Sequence, residues 1–434
     1  MPPVGSESRS FFATLGSPNR VSHQRWVICG FLFFATVIAY VDRGVIAYLK
    51  NTLENVIPGL NDRSYGYVTA AFTAAYAIGM VVAGGFTDKL GTRKAFAIAI
   101  GLWSIAAMLP GAAFSVITFG IAMFMLGLGE AANFPACIKT VAEWFPKRER
   151  ALATGLFNSG ANIGNIVVPI AVPTLVMLVS WRGAFVVTGA LGIVWLIFWL
   201  IYYRRPEQHR SVSPAELALI LSDPAEKIES VPWSRVLPRK ETWAFAIGKF
   251  LTDPIWWFYL FWIPGYLQST FHLSLSQSRV PVVLAYSISI VGSIGGGYLS
   301  SLLIKRGIST NVARKTTLLI CALLIAPIFA TPLIHHLWPV VALLGLATAG
   351  HQGWSANLFT LPSDMFPKSA VASVVGIGGM MGALGGFLFQ LGTGFIVYFT
   401  HSYVTLFIIA CLAYPVAFLI IHSLSPRLAP AQMD

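Results

Sequence analysis

The chain has 434 residues, of which only 11% are charged and 56% are hydrophobic, with a formal net charge of +12. A soluble domain carries roughly 25% charged residues, so this composition excludes a soluble enzyme, a disordered chain and a secreted disulfide scaffold. A basic balance marks a nucleic-acid binder only when the basic residues gather on a water-facing domain. A membrane protein with basic loops gives the same sum, so the placement of the charges decides.

In chain order, residues 1–25 are polar and mixed and read as a cytoplasmic tail. The first apolar run is too long for the core of a signal peptide and has no evident small-residue cleavage site, so it reads as a retained helix. Spanning a bilayer takes about 20 residues. Uncharged apolar runs predict twelve spans, near 26–47, 64–85, 94–112, 115–138, 152–173, 182–203, 242–267, 279–304, 316–334, 337–361, 370–398 and 402–423. Residues 204–241, with Pro206, Pro214, Pro224, Pro232 and Pro238, read as a cytoplasmic linker between bundles 26–203 and 242–423, and 424–434 as a second tail.

The basic residues sort by loop. Twenty-three fall on one side of this topology and four on the other, namely Lys50, Arg63, Arg182 and Arg279. That asymmetry places both termini in the cytoplasm. It makes the +12 an orientation signal and gives no reason to expect a nucleic-acid partner.

Two basic residues remain inside spans, Arg43 and Lys249, with three acids, Asp42, Glu130 and Asp253. Charge at membrane depth costs of order 2.5–3.5 kcal/mol per residue, so such groups usually face a polar interior and move ions or substrate. Structural pairing between helices is the competing reading. The four cysteines, Cys29, Cys137, Cys321 and Cys411, all fall in spans without metal-ligand spacing and read as packing residues.

The two halves repeat. Glu143-Trp144-Phe145-Pro146-Lys147, followed by Ala151, Gly155 and Gly164, matches Asp364-Met365-Phe366-Pro367-Lys368, followed by Ala372, Gly376 and Gly385, at a constant offset of 221 residues. The same offset carries Gly129 to Gly350 and Glu130 to His351. The fourth and tenth helices therefore each hold a titratable group at one depth, although a lone His can equally be bonded to a helix neighbour.

The second span runs into Gly84-Gly85-Phe86-Thr87-Asp88-Lys89-Leu90-Gly91-Thr92-Arg93-Lys94. This resembles the G-x-x-x-D-[RK]-x-G-x-[RK]-[RK] signature of the major facilitator superfamily. The resemblance implies an all-α membrane protein with twelve transmembrane helices in two pseudo-symmetric six-helix bundles. It also implies a gating latch at Gly84, Asp88, Gly91 and Arg93. The second-half counterpart, Gly297 to Lys315, is degenerate, with Ser301 where Asp88 would be matched. Glu130-Ala131-Ala132-Asn133-Phe134-Pro135-Ala136, the pair Asp42-Arg43, Lys249 to Phe258 and Asn357 to Pro367 resemble the anion:cation symporter branch, and within it bacterial hexuronate transporters. One departure is Met123, where galactonate-type members carry an Arg.

The resemblance implies import of a sugar-acid monoanion with protons by alternating access, with no enzymatic activity, cofactor or metal. It also implies a multi-pass monomer in a bacterial inner membrane. A hexuronate needs a cation for its carboxylate, polar groups for its hydroxyls and an aromatic platform. Arg43 offers a bidentate fork and Lys249 a movable point charge. Tyr76, Asn158, Asn162, Gln352, Asn357 and Gln390 offer hydrogen bonds, His351 a titratable ring, and Trp256, Trp257 and Trp354 a stacking face. Each has a competing role in packing, and the tryptophans near span ends one as interface anchors. Asp42 and Glu130 are the expected proton carriers, since desolvation raises a carboxyl's pKa and a nearby Arg lowers it. Asp253, before Pro254, is alternatively expected to fix a break in the seventh helix. Other readings are transport of an aldonate, tartrate or aromatic acid, and a membrane sensor without transport.

Overall fold

The computed structural model describes residues 22–222, 231–429 and 431, apart from the side chains of Gly84, Asp88, Ala151 and Lys368. The described residues form helices joined by short turns. The first half holds α1 (Gln24–Tyr48), the short α2 (Lys50–Val56), α3 (Asp62–Leu90), α4 (Thr92–Met108), α5 (Val116–Glu130), α6 (Asn133–Trp144) and α7 (Lys147–Tyr202). The connection carries α8 (Pro214–Ile220) and α9 (Trp233–Val236). The second half holds α10 (Lys240–Thr270), α11 (Arg279–Lys305), α12 (Thr310–Ile325), α13 (Leu337–Leu358), the short α14 (Leu361–Met365), α15 (Lys368–Thr400) and α16 (Val404–Leu424).

Nine stretches among the described residues are long and apolar enough to cross a bilayer. One of them is α7, which turns at Ser180 (φ 82°, ψ 169°) and so supplies two spans. The sequence suggested a loop there. Instead Ser180 Oγ accepts from Gly183 N at 3.4 Å, which starts the next helix directly. Helices α10 and α13 complete the twelve; their Lys249, Asp253 and His351 make them less apolar than the others. The expected fourth span is divided, because α5 ends at Glu130 and the chain resumes as α6 at Asn133.

Local sequence explains the helix starts. Asn61 and Ser64 exchange bonds of 3.0 and 2.8 Å as a capping box before α3, and Ser115 and Thr118 do so at 3.3 and 3.1 Å before α5. The 221-residue repeat is visible in backbone angles. Pro146 (φ −62°, ψ 150°) caps α7 and Pro367 (φ −63°, ψ 151°) caps α15. Gly164 lets α7 lie against Tyr40 of α1, and Gly385 lets α15 lie against Phe250 and Pro254 of α10.

The expected break at Pro254 is absent, and α10 continues through it. Proline removes the donor that would serve Phe250 O. Gly385 of α15 leaves room for that carbonyl and for the proline ring, since a Cβ there would come within 2.4 and 2.9 Å of them.

The halves meet through α3 on α15 and α7 on α11. The hydrogen bonds that join them gather toward the end opposite the described termini. Tyr48 Oη donates to Leu275 O at 2.8 Å, Gln268 Nε2 to Tyr48 O at 3.1 Å and Asn51 Nδ2 to Gly265 O at 3.2 Å. Tyr65 Oη donates to Phe261 O at 2.8 Å, and Arg279 Nη2 to Thr174 Oγ1 at 3.2 Å. That end is closed.

Candidate functional site

Arg43, near the C-terminal end of α1, is buried at the seam between the halves. Its Nε donates to Glu130 Oε2 at 2.9 Å and its Nη2 donates to the same oxygen. Glu130 ends α5 and is fully buried, and its Oε1 has no partner. The guanidinium is ringed by aromatic faces: Tyr40 at 4.4 Å, Phe72 and Trp257 at 5.4 Å and Tyr76 at 5.6 Å. Three of these rings come from the first half, whereas Trp257 lies on α10. The cation is therefore held by one bundle and covered by both.

Asp42 is 2% exposed, and neither carboxylate oxygen has a hydrogen-bond partner. The Thr188 hydroxyl close to it donates to Phe185 O at 3.3 Å. An ionised carboxylate left this way is expensive. Two acids thus sit beside one arginine, whose ion pair is with Glu130.

In the second half, Lys249 Nζ pairs with Asp253 Oδ2 at 2.7 Å, one helical turn along α10, and lies 4.1 Å from the Phe359 ring centroid. Trp256 stacks on His351 with centroids 4.9 Å apart and planes 5° from parallel. His351 Nδ1 is 2.6 Å from Tyr414 Oη. So the residue repeated from Glu130 is bonded to a helix neighbour.

The other expected polar residues have varied places. Asn162 Oδ1 accepts from Ser289 Oγ at 3.5 Å, across the seam. Tyr76, Gln352 and Trp256 are half-buried and Asn158 is exposed. Trp354 is fully buried with its Nε1 unpartnered. Asn357 Nδ2 donates to Gly296 O and Gly353 O, both at 2.9 Å, and so ties α13 to α11. Gln390 Oε1 accepts from Thr69 Oγ1 at 3.0 Å and Trp262 Nε1 at 2.7 Å, which makes it part of the closed seam.

The loop after α3 turns at Gly91, whose φ of 76° suits glycine. Its counterpart after α11 is Gly307, with φ 85°. Arg93 Nη2 donates to Leu200 O at 2.5 Å. The side chains of Gly84 and Asp88 lie outside the described residues. The cysteines are free, with three buried and Cys411 partly so.

Sequence reasoning missed two groups. Asn165 is 5% exposed with Nδ2 unpartnered, and lines a small cavity with Arg43, Tyr48 and Tyr286. Its signal was its position about one turn beyond Asn162 on the same helix. Lys50 counted only as an orientation charge. It is 3% exposed, pairs with Glu54 at 2.8 Å and Asp62 at 2.6 Å, and lies 5.4 Å from the Trp262 ring. The spacing of Lys50 and Glu54 was the available clue.

The chain matches the Major Facilitator Superfamily family profile over residues 32–390. It is 29% identical over 381 residues to a hexuronate transporter of Escherichia coli (strain K12), covering 86% of this chain and 88% of that one. It is 32% identical over 311 residues to a galacturonate transporter of Dickeya chrysanthemi, covering 70% and 90%. Its fold superposes with TM-score 0.70, at 18% identity and 93% and 94% coverage, on a bacterial homolog of the human lysosomal transporter Spinster, in an inward-facing and unoccupied conformation. The chain belongs to the major facilitator superfamily and is a membrane-spanning transporter, not an enzyme.

Proposed function

We propose that this transporter imports a sugar-acid monoanion, a hexuronate such as glucuronate or galacturonate, together with protons, by alternating access. The observation that carries the proposal is the buried Arg43–Glu130 pair at the seam, with the unpartnered Asp42 beside it. The names of the hexuronate and galacturonate relatives support the substrate class.

The coupling is local. Arg43 has a planar fork suited to a carboxylate. When the substrate carboxylate takes Arg43, Glu130 loses its donors. A buried carboxylate without donors is unfavourable, so Glu130 takes up a proton as the anion binds. Release of substrate returns Arg43 to Glu130 and expels the proton. Asp42 is the second carrier. Tyr76 and Trp257 border Arg43 and supply a face for the sugar ring. Asn162 faces the seam from the first half, Lys249, Trp256, Gln352 and His351 extend the site into the second half, and Trp354, Asn357 and Gln390 support it through helix contacts.

The bundles 26–203 and 242–423 move as halves about this site, with Gly84, Asp88, Gly91 and Arg93 as the latch. The excess of basic residues on the terminal side supports cytoplasmic termini in a bacterial inner membrane. On that orientation, the closed end faces outward. No cofactor, metal or nucleic acid is required, and a monomer suffices.

Uptake of labelled glucuronate and galacturonate into proteoliposomes, with and without a proton gradient, tests the reading. Asp42→Asn and Glu130→Gln are expected to keep counterflow and lose pH-driven accumulation. Normal uphill uptake by both variants would overturn the coupling scheme. Failure of both sugars beside uptake of an aldonate would overturn the substrate assignment.

A further inference from the structure

The chain leaving α16 is tied down. Lys315 Nζ, on α12, donates to Ser425 O and Pro426 O at 2.7 Å each. Leu428 N donates to Asn311 Oδ1 at 3.1 Å, and Ala431 N to Met365 O at 2.7 Å. These bonds hold the segment beside the first turn of α10. Among the described residues, a cleft of about 690 Å³ lies between them, lined by Arg239, Lys240 and Arg427 with the single acid Glu241.

Two further features of this cleft point to an anion. Ser425, in its lining, is 1% exposed, and its hydroxyl has no hydrogen-bond partner. No side chain caps α10; Thr242 N donates to Arg239 O at 3.1 Å, which leaves the N–H groups of Lys240 and Glu241 for an acceptor. A basic lining, a waiting hydroxyl and an uncapped helix start together suit a phosphate.

The surroundings identify its source. Trp233, Leu237 and Trp243 are each 37% exposed near this turn, and Trp243 Nε1 donates to Leu237 O at 2.9 Å. Tryptophan with a satisfied N–H and an exposed ring is the residue of the bilayer–water interface. Beyond the cleft, α16 exposes Val416 and Leu419, which suit acyl chains. We propose that this cleft binds the phosphate of an anionic phospholipid headgroup, with Lys240 and Arg427 meeting its charge and Ser425 donating to it. The site is separate from the transport pathway and stands whether or not the proposed substrate is right.

The test uses the purified full chain in bicelles with equal phosphatidylglycerol and phosphatidylcholine, and native mass spectrometry of the lipid retained. A basic residue near an anionic lipid is worth about fivefold in affinity. The wild type is expected to retain phosphatidylglycerol at least about fivefold over phosphatidylcholine, and Lys240→Gln with Arg427→Gln to approach parity. Arg427→Gln alone, at an exposed position, and Ser425→Ala keep the test valid if the double variant does not fold; each should lower the preference. Full preference in all these variants overturns the proposal. Millimolar inorganic phosphate should leave the retained lipid in place. Its complete displacement would overturn the lipid assignment in favour of a free phosphate.

Discussion

Gly66 of α3 and Gly394 of α15 touch across the seam between the halves. A Cβ on Gly66 would lie 2.7 Å from the Gly394 Cα, and one on Gly394 would lie 2.8 Å from the Gly66 Cα. No side chain separates the two backbones, so this end closes only if both positions stay bare. Overpacking of this kind costs roughly 1–3 kcal/mol, which shifts a two-state balance about 5- to 150-fold toward the state open here. Gly66→Ala and Gly394→Ala are expected to slow transport and to raise maleimide labelling of a cysteine placed at Ser278. Gly392→Ala, with nothing nearby to meet its methyl, is the neutral control. Unchanged labelling in both seam variants would show that this contact does not set the closed state.

Lys50 braces the same end: its ion pairs hold it within the first half, and from there its ammonium reaches the Trp262 ring of α10 at 5.4 Å. It serves Glu54 and Asp62, and its stem packs against Gly265 of α10. Removing one partner of a buried pair costs about 3–5 kcal/mol, and less here because both acids are about a quarter exposed. Lys50→Met should leave two carboxylates facing each other and favour the open form. A lower melting temperature with faster labelling at Ser278→Cys is the expected result; wild-type values for both would remove Lys50 from the lock.

Arg43 combines two donors to one oxygen with aromatic faces on several sides. Lysine keeps the charge but loses the fork. Arg43→Lys should lower kcat/KM for uptake by roughly 100-fold, of order 3 kcal/mol at the transition state. Counterflow kinetics measure this directly. Retention of most activity would mean that charge alone suffices.

The linker is pH-sensitive through Glu216. This carboxylate of α8 accepts from Ser22 Oγ at 2.5 Å, Gln24 N at 2.9 Å, Arg25 N at 3.1 Å and Arg25 Nη1 at 2.9 Å. Burial pushes its carboxyl up, but these bonds outweigh burial and hold it below its ordinary value of 4.5. Its contribution is therefore complete above that value and is lost as pH falls below it, through the lowered one. Limited proteolysis of the linker should be slow at neutral pH and faster below pH 4.5, and Glu216→Gln should cut readily at both. Equal rates for wild type and variant at neutral pH would exclude this anchor.

The twelve spans and the repeat were legible because apolar length and a constant offset are local properties of the sequence. Lys249–Asp253 was legible for the same reason, since partners one turn apart lie on one face. Arg43 and Glu130 were each visible as charges in apolar runs. Their bond spans 87 residues of sequence and is fixed only by how α1 and α5 pack. Gln390 shows the limit. Its glutamine was visible, but its bond to Thr69, 321 residues away, depends on which end of the molecule is closed. The close approach of Gly385 to Pro254 depends likewise on how α15 packs on α10.

The two anchors of the linker set a mechanical limit. Glu216 fastens one end to α1, while Val231 N donates to Ser369 O at 3.0 Å and Ser373 Oγ donates to Val231 O at 2.5 Å, fastening the other end to α15. Extended chain spans at most about 3.3–3.6 Å per residue. The stretch from Ser222 to Val231 therefore reaches no further than about 32 Å. That covalent length bounds how far the two anchor points can part while both hold, so the swing of one half away from the other has a hard stop built into the chain.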